Sequence, residues 1–160
     1  MPETPAFLAE RLKTEGERTF AFFAAMRDDQ WQATVYTEGE TWSIRNVLAH
    51  FVTSERAFLR LFASVQAGGA GVPEDFSIDR YNAAQQEQTR EQSPQALLSQ
   101  FQSTRAEMVN WVSALSADDL AKTGRHPFLG MTSLAEMLKM IYRHNQIHTR
   151  DLRHILPTEN

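Results

Sequence analysis

SLAEMLKMIYRHNQIHTRDLRHI, residues 133–155, decides the fold. Leu134, Leu138, Ile141, His148, Leu152 and Ile155 recur at intervals of three, four and seven, which lines one face of an α-helix. Ser133 with Glu136 three positions later reads as a capping box at its start, and Pro157 closes it. At 100° per residue, His148 falls inside the apolar stripe and His144 on its edge, so both point toward neighbouring helices. An i,i+4 histidine pair stacks on one face and can clamp one metal ion. Asn145 stands where the helical zinc proteases carry a glutamate general base, so a protease reading fails at its catalytic residue.

Working toward the N-terminus, the same period recurs three times. Ser93-Pro94, an N-cap followed by a first-turn proline, opens a helix carrying Leu97, Phe101, Met108, Val112 and Leu115. Thr41 to Ser43 opens another, with Ile44, Val47, Leu48, Phe51, Phe58, Phe62 and Val65 on its apolar face. Thr4-Pro5 opens the first, whose stripe of Leu8, Leu12, Phe22 and Met26 has Glu15 and Thr19 near its centre. The expected helices span 4–27, 43–66, 94–115 and 133–155, with a polar, exposed helical segment within 78–92. Residues 67–73, rich in glycine and closed by Pro73, form a loop; no Gly-Lys-Ser/Thr follows, so it is no phosphate-binding loop. Residues 116–129 read as a connection with one short turn after Ser116, and no convincing strand pair is visible. The pattern predicts an all-α protein, a four-helix bundle in one domain over residues 1–160.

Composition narrows the function. A net charge of −4 without a basic tract argues against nucleic acid as partner. No apolar run approaches the roughly 20 residues that span a bilayer, and Met1-Pro2-Glu3-Thr4-Pro5 lacks the features of a signal peptide. The chain has no cysteine, which suits a reducing cytoplasm and excludes disulfides, thiolate ligands and a catalytic thiol. Any metal is therefore held by nitrogen and oxygen, and any thiol chemistry needs a thiol from outside.

His50, at the flank of the second helix's stripe, adds a third imidazole to the pair on the fourth helix. Alone it would read as a histidine bonded to a carbonyl. Together the three offer neutral nitrogen ligands from facing helices, with a position left open for water or substrate. His126, before Pro127 in a connection, reads as a solvated loop residue, and His154 as a surface residue. Ser54 and Asp151 share the faces of His50 and His148 and can accept or donate to the distal ring nitrogens. Asp151 reads rather as a surface ion pair. Glu15 is either a pocket-lining general base or a solvated or interface carboxylate. Trp31, Trp42 and Trp111 read as core or groove aromatics.

Trp42 followed by Val47-Leu48-Ala49-His50, then His144-Asn145-Gln146-Ile147-His148 and Asp151-Leu152, resembles the DinB/YfiT-like superfamily of metal-dependent enzymes over almost the whole chain. The resemblance implies a four-helix bundle with a long crossover connection and a divalent metal on His50, His144 and His148. It further implies a homodimer, and either transfer or isomerisation dependent on bacillithiol, mycothiol or glutathione, or hydrolysis. Zinc and nickel lead the possible metals, with manganese and iron behind them; imidazole suits all four. Three functional classes follow: a thiol-dependent S-transferase acting on a small molecule, with Glu15 as proton acceptor; a metal-dependent hydrolase on the same ligands; and a non-enzymatic binding or sequestering protein.

Overall fold

Thr4 accepts a hydrogen bond from the Phe7 amide at 3.1 Å, and α1 (Pro5–Ala24) starts at the expected cap. In the computed structural model, which describes residues 3–157, α1 stops at Ala24, short of the expected Arg27. The chain leaves the helix there so that Trp31 can return and stack on Phe23, with ring centroids 6.0 Å apart and planes 9° from parallel. Met1 and Pro2, read above with the N-terminal segment, lie outside the described residues.

A short hairpin follows, β1 (Thr34–Tyr36) paired antiparallel with β2 (Trp42–Ser43). It corrects the expectation of no strand pair. A second hairpin, β3 (Thr123–His126) with β4 (Gly130–Ser133), lies in the segment read as a connection. These strands have two to four residues, too few for a period-two pattern to emerge. Each hairpin ends on the N-cap serine of a bundle helix.

Ser43 caps α2 (Ile44–Gln66) reciprocally: its hydroxyl accepts from the Asn46 amide, and its own amide donates to Asn46 Oδ1. Ser93 caps α4 (Pro94–Ser113), and Ser133 caps α6 (Leu134–Ile155). At α6 only half of the expected box forms, because the Glu136 carboxylate pairs with Lys139 and Arg143 instead. One short helical turn, α5 (Ala117–Leu120), follows Ser116 as expected.

The bundle consists of α1, α2, α4 and α6; α4 and α6 each pack against both α1 and α2, which stand diagonally. The long connection from α2 to α4 contains α3 (Ile78–Gln88), which buries no residue and is held by polar bonds. Asn46 and Gln86 exchange hydrogen bonds of 2.9 and 2.8 Å. Arg45, buried on α2, donates to the carbonyls of Thr89 and Gln92 and so caps the chain leaving α3. Gly71 closes the other end of the crossover against β3. It has φ of +93°, and a Cβ there would stand 2.2 Å from the Arg125 amide nitrogen, so only glycine fits.

Two apolar clusters fill the interior. One is built around Leu8, Leu12, Phe62, Met108 and Leu138, the other around Phe23, Trp31, Phe51, Phe101 and Leu152. A polar layer separates them. Glu55 falls between Val52 and Phe58, Arg105 between Phe101 and Met108, and Asn145 between Ile141 and Leu152. Arg105 donates to Glu55 at 2.5 and 3.1 Å, to Asn145 Oδ1 at 2.7 Å and to the Leu12 carbonyl at 2.9 Å. It reaches α1 along Gly16, where a Cβ would lie 2.7 Å from its Cγ.

Candidate metal centre

His50 on α2 and His144 and His148 on α6 converge where the first hairpin closes over the bundle. His50 Nε2 lies 2.9 Å from His144 Nε2, and His148 Nε2 lies 3.1 Å from the same atom. One nitrogen of each ring falls within 4.8 Å of the other two, an arrangement that could hold a metal ion. His50 and His144 are buried and His148 half-buried. Trp42 covers His50 at a centroid distance of 5.0 Å, and Phe51 packs under both α6 rings.

Protonation follows from the partners. Tyr36 Oη lies 2.5 Å from Asp151 Oδ2 and 2.8 Å from His148 Nδ1. Burial, then the bond to Asp151, raises the Tyr36 pKa, so the phenol keeps its proton. An ionised carboxylate only accepts, so Tyr36 donates to Asp151 and His148 Nδ1–H donates to Tyr36 Oη. His148 Nε2 is then a lone pair facing His144 Nε2. His50 Nδ1 is held by Ser54 Oγ at 3.1 Å, leaving its Nε2 turned to the same point. His144 Nε2 has one site for two close neighbours: a hydrogen there must be shared between two acceptors, and without it His144 and His148 face each other as lone pairs.

A cation removes the conflict. Burial, with the neighbouring imidazoles adding to it, holds His50 well below its ordinary pKa and brings His144 down to about 3. Burial also lowers His148, against the opposing charge of Asp151. All three are therefore neutral at pH 7, as metal ligation requires. Ligands about 2.1 Å from a tetrahedral ion stand roughly 3.4 Å apart, a few tenths of an ångström beyond the two close separations at His144. The donor set fits a divalent first-row ion.

Of the remaining residues singled out by sequence, Ser54 is at His50 as expected. Asp151 reaches His148 only through Tyr36, which sequence reasoning missed because a three-residue strand carries no signal. His154 is exposed. His126 corrects its assignment as a solvated loop residue: it is 1% exposed and stacks on Phe58 at 5.1 Å. Its Nδ1 accepts from the amides of Phe128 and Leu129 and thereby fixes the turn of the second hairpin. Burial pushes its imidazole down to about 4. Glu15 is buried, but its carboxylate meets Arg11, Arg18 and Gln146 rather than the three histidines. Asn145 turns away from the histidines into the Arg105 cluster, so the helix face explains why no general base stands there.

Tyr36→Phe removes the acceptor of the His148 proton. Metal affinity is expected to fall about 10–100-fold, the usual cost of losing a ligand's outer partner. Far-UV circular dichroism should stay unchanged, and equal affinities in a competitive chelator titration would deny Tyr36 this role.

A sequence profile of the DinB superfamily matches residues 11–152, and the chain belongs to that family. No curated protein matches it in sequence. Among solved structures, the mycothiol-dependent maleylpyruvate isomerase superposes with a TM-score of 0.73 at 17% identity, over 92% of this chain and 59% of its own. YfiT from Bacillus subtilis, a probable metal-dependent hydrolase with an unusual four-helix bundle topology, gives 0.70 at 18% identity, over 91% and 84%. The colibactin self-resistance protein ClbS, in complex with double-stranded DNA, gives 0.73 at 13% identity, over 98% and 99%. At these identities the likeness establishes the bundle alone, and the ClbS complex means that this fold does not by itself exclude nucleic acid. No helix among the described residues is long and apolar enough to cross a membrane.

Proposed function

We propose that the protein is a cytoplasmic, divalent-metal-dependent enzyme acting on a small molecule, with thiol-dependent S-transfer as its reaction and zinc or nickel as its metal. The observation that carries this reading is the convergence of three neutral Nε2 atoms, two of them at 2.9 and 3.1 Å from the third, at the wall of two cavities. When bound, such an ion supplies Lewis acidity, lowering the pKa of a water or thiol that takes its open position.

The chain's own residues do the rest. His50, His144 and His148 hold the ion; Ser54 orients the first, and Tyr36 with Asp151 fixes the tautomer of the third. Trp42 and Phe128 flank the histidines and restrict water. Glu15, engaged by two arginines and Gln146 and not in contact with the histidines, would take up a proton only by way of intervening water. The absence of cysteine is consistent with a thiol supplied by a diffusible co-substrate. The net charge of −4 supports a small-molecule partner over DNA, and the family resemblance supports a homodimer.

The test is turnover by zinc- or nickel-loaded protein of a panel of electrophiles, with and without mycothiol, bacillithiol and glutathione. Turnover is expected only with metal and thiol together. Metal-dependent turnover without thiol would move the assignment to hydrolysis. Turnover surviving complete metal removal would end it.

A further inference from the structure

Two cavities of opposite character meet at the histidines. One, of about 190 Å³, has His50 and Ser54 at one end and is walled by Leu61, Val72, Ile78 and Phe128, with no Asp, Glu, Lys or Arg in its lining. The other, of about 550 Å³, is bounded by Tyr36, Trp42 and His148 and carries the carboxylates of Glu38, Glu40 and Asp79 with no lysine or arginine. Asn82 of α3 lines both, so the crossover forms the partition between them.

Size and charge each constrain the occupant. An apolar cavity of ~150 Å³ takes up benzene, so the smaller one holds a phenyl ring or a chain of about six carbons. Three carboxylates without a countercharge repel an anion and attract a cation. We infer that the substrate is a small two-part amine: its hydrocarbon limb lies in the slot between α2, the crossover and the Phe128 turn, its protonated amine lies in the acidic chamber, and the reacting bond crosses the three histidines. This assignment deepens the metal-centre reading and depends on it for the reaction, though not for the binding. It also separates this chain from any enzyme whose substrate is a dicarboxylate such as maleylpyruvate.

Binding is measured on the whole protein, freed of metal so that no probe ligates an ion, by calorimetric titration with 2-phenylethylamine, 2-phenylethanol and 3-phenylpropanoate. The amine is expected to bind at least about fivefold tighter than the carboxylate, with the alcohol between them. In a series from propylamine to hexylamine, affinity should rise two- to fourfold per methylene until the slot is full. Ala57→Phe, which fills the slot from α2, should cost all three aromatic probes about tenfold or more. Glu38→Gln with Glu40→Gln should bring amine and carboxylate within about twofold and leave the alcohol unchanged.

Equal affinities for amine and carboxylate, or binding indifferent to Ala57→Phe, overturns the inference. Should Ala57→Phe fail to fold by circular dichroism, NMR shift changes in the parent decide instead. Changes centred on Leu61 and Phe128 support the slot, and changes elsewhere refute it. Loss of metal binding with the ligand ranking intact overturns the metal centre alone. Metal binding retained with the ranking absent overturns this inference alone.

Discussion

His144→Ala is expected to lower affinity for zinc or nickel at least about 100-fold, beyond the ~10–100-fold cost of losing an outer partner such as Tyr36. His144 is the nitrogen common to both close contacts, so its removal dissolves the site rather than trimming it. His154→Ala, at an exposed position, and His126→Asn, which keeps an acceptor for the Phe128 and Leu129 amides, should retain the metal. The same variant separates a functional from a structural metal. A structural ion contributes the folding energy itself, and its loss unfolds the domain. Here the helices are held by two apolar clusters, so metal-free parent and metal-free variant should both be folded, with the variant equally stable or slightly more so. Saturation at 100 times Kd should stabilise the parent by about 2.7 kcal/mol, roughly 5–11 °C in Tm for a domain of this size, and the variant hardly at all. Equal metal retention in His144→Ala and His154→Ala would remove the assignment.

The second large effect lies at the polar layer. Arg105→Ala or Glu55→Ala is expected to cost about 3–5 kcal/mol, because either change strands its partner as a buried, unpaired charge. The side chains are 5% and 3% exposed, so no solvent shares the load. Arg105 spends four of its donor bonds on α1, α2 and α6, which makes it the only described side chain to tie three bundle helices to a fourth. The double variant Glu55→Leu with Arg105→Met should lose far less than the sum of the single changes, since both charges leave together. Urea denaturation of the four proteins gives the coupling directly. Additive losses would show that the two residues act independently.

The sequence revealed the helices through burial at helical spacing and capping chemistry, both local signals. α2 and α6 fall within a residue of their expected starts because Ser43 and Ser133 cap them. α1 fell short because Trp31 stacks back on Phe23, a contact between residues outside any shared period. The three histidines were legible for the same reason as the helices: two share a face and the third flanks a stripe. Tyr36 and His126 were not, because a strand of three or four residues has no period and their burial is set by partners more than 60 residues away, Asp151 and His148 for one and Phe58 for the other. Asn145 was noticed for what it lacked as a protease residue, while its actual employment with Arg105 depends on a helix 40 positions upstream.

His50 and His144 stand 94 positions apart in the chain, and that separation has a chronological meaning. During synthesis the N-terminal helices can pack early, but they offer a metal only one imidazole until the last helix emerges and docks. A lone histidine is a poor ligand, so under the proposed metal site the growing chain would not scavenge ions prematurely. Acquisition of an ion would be deferred until α6 has docked and the bundle is closed.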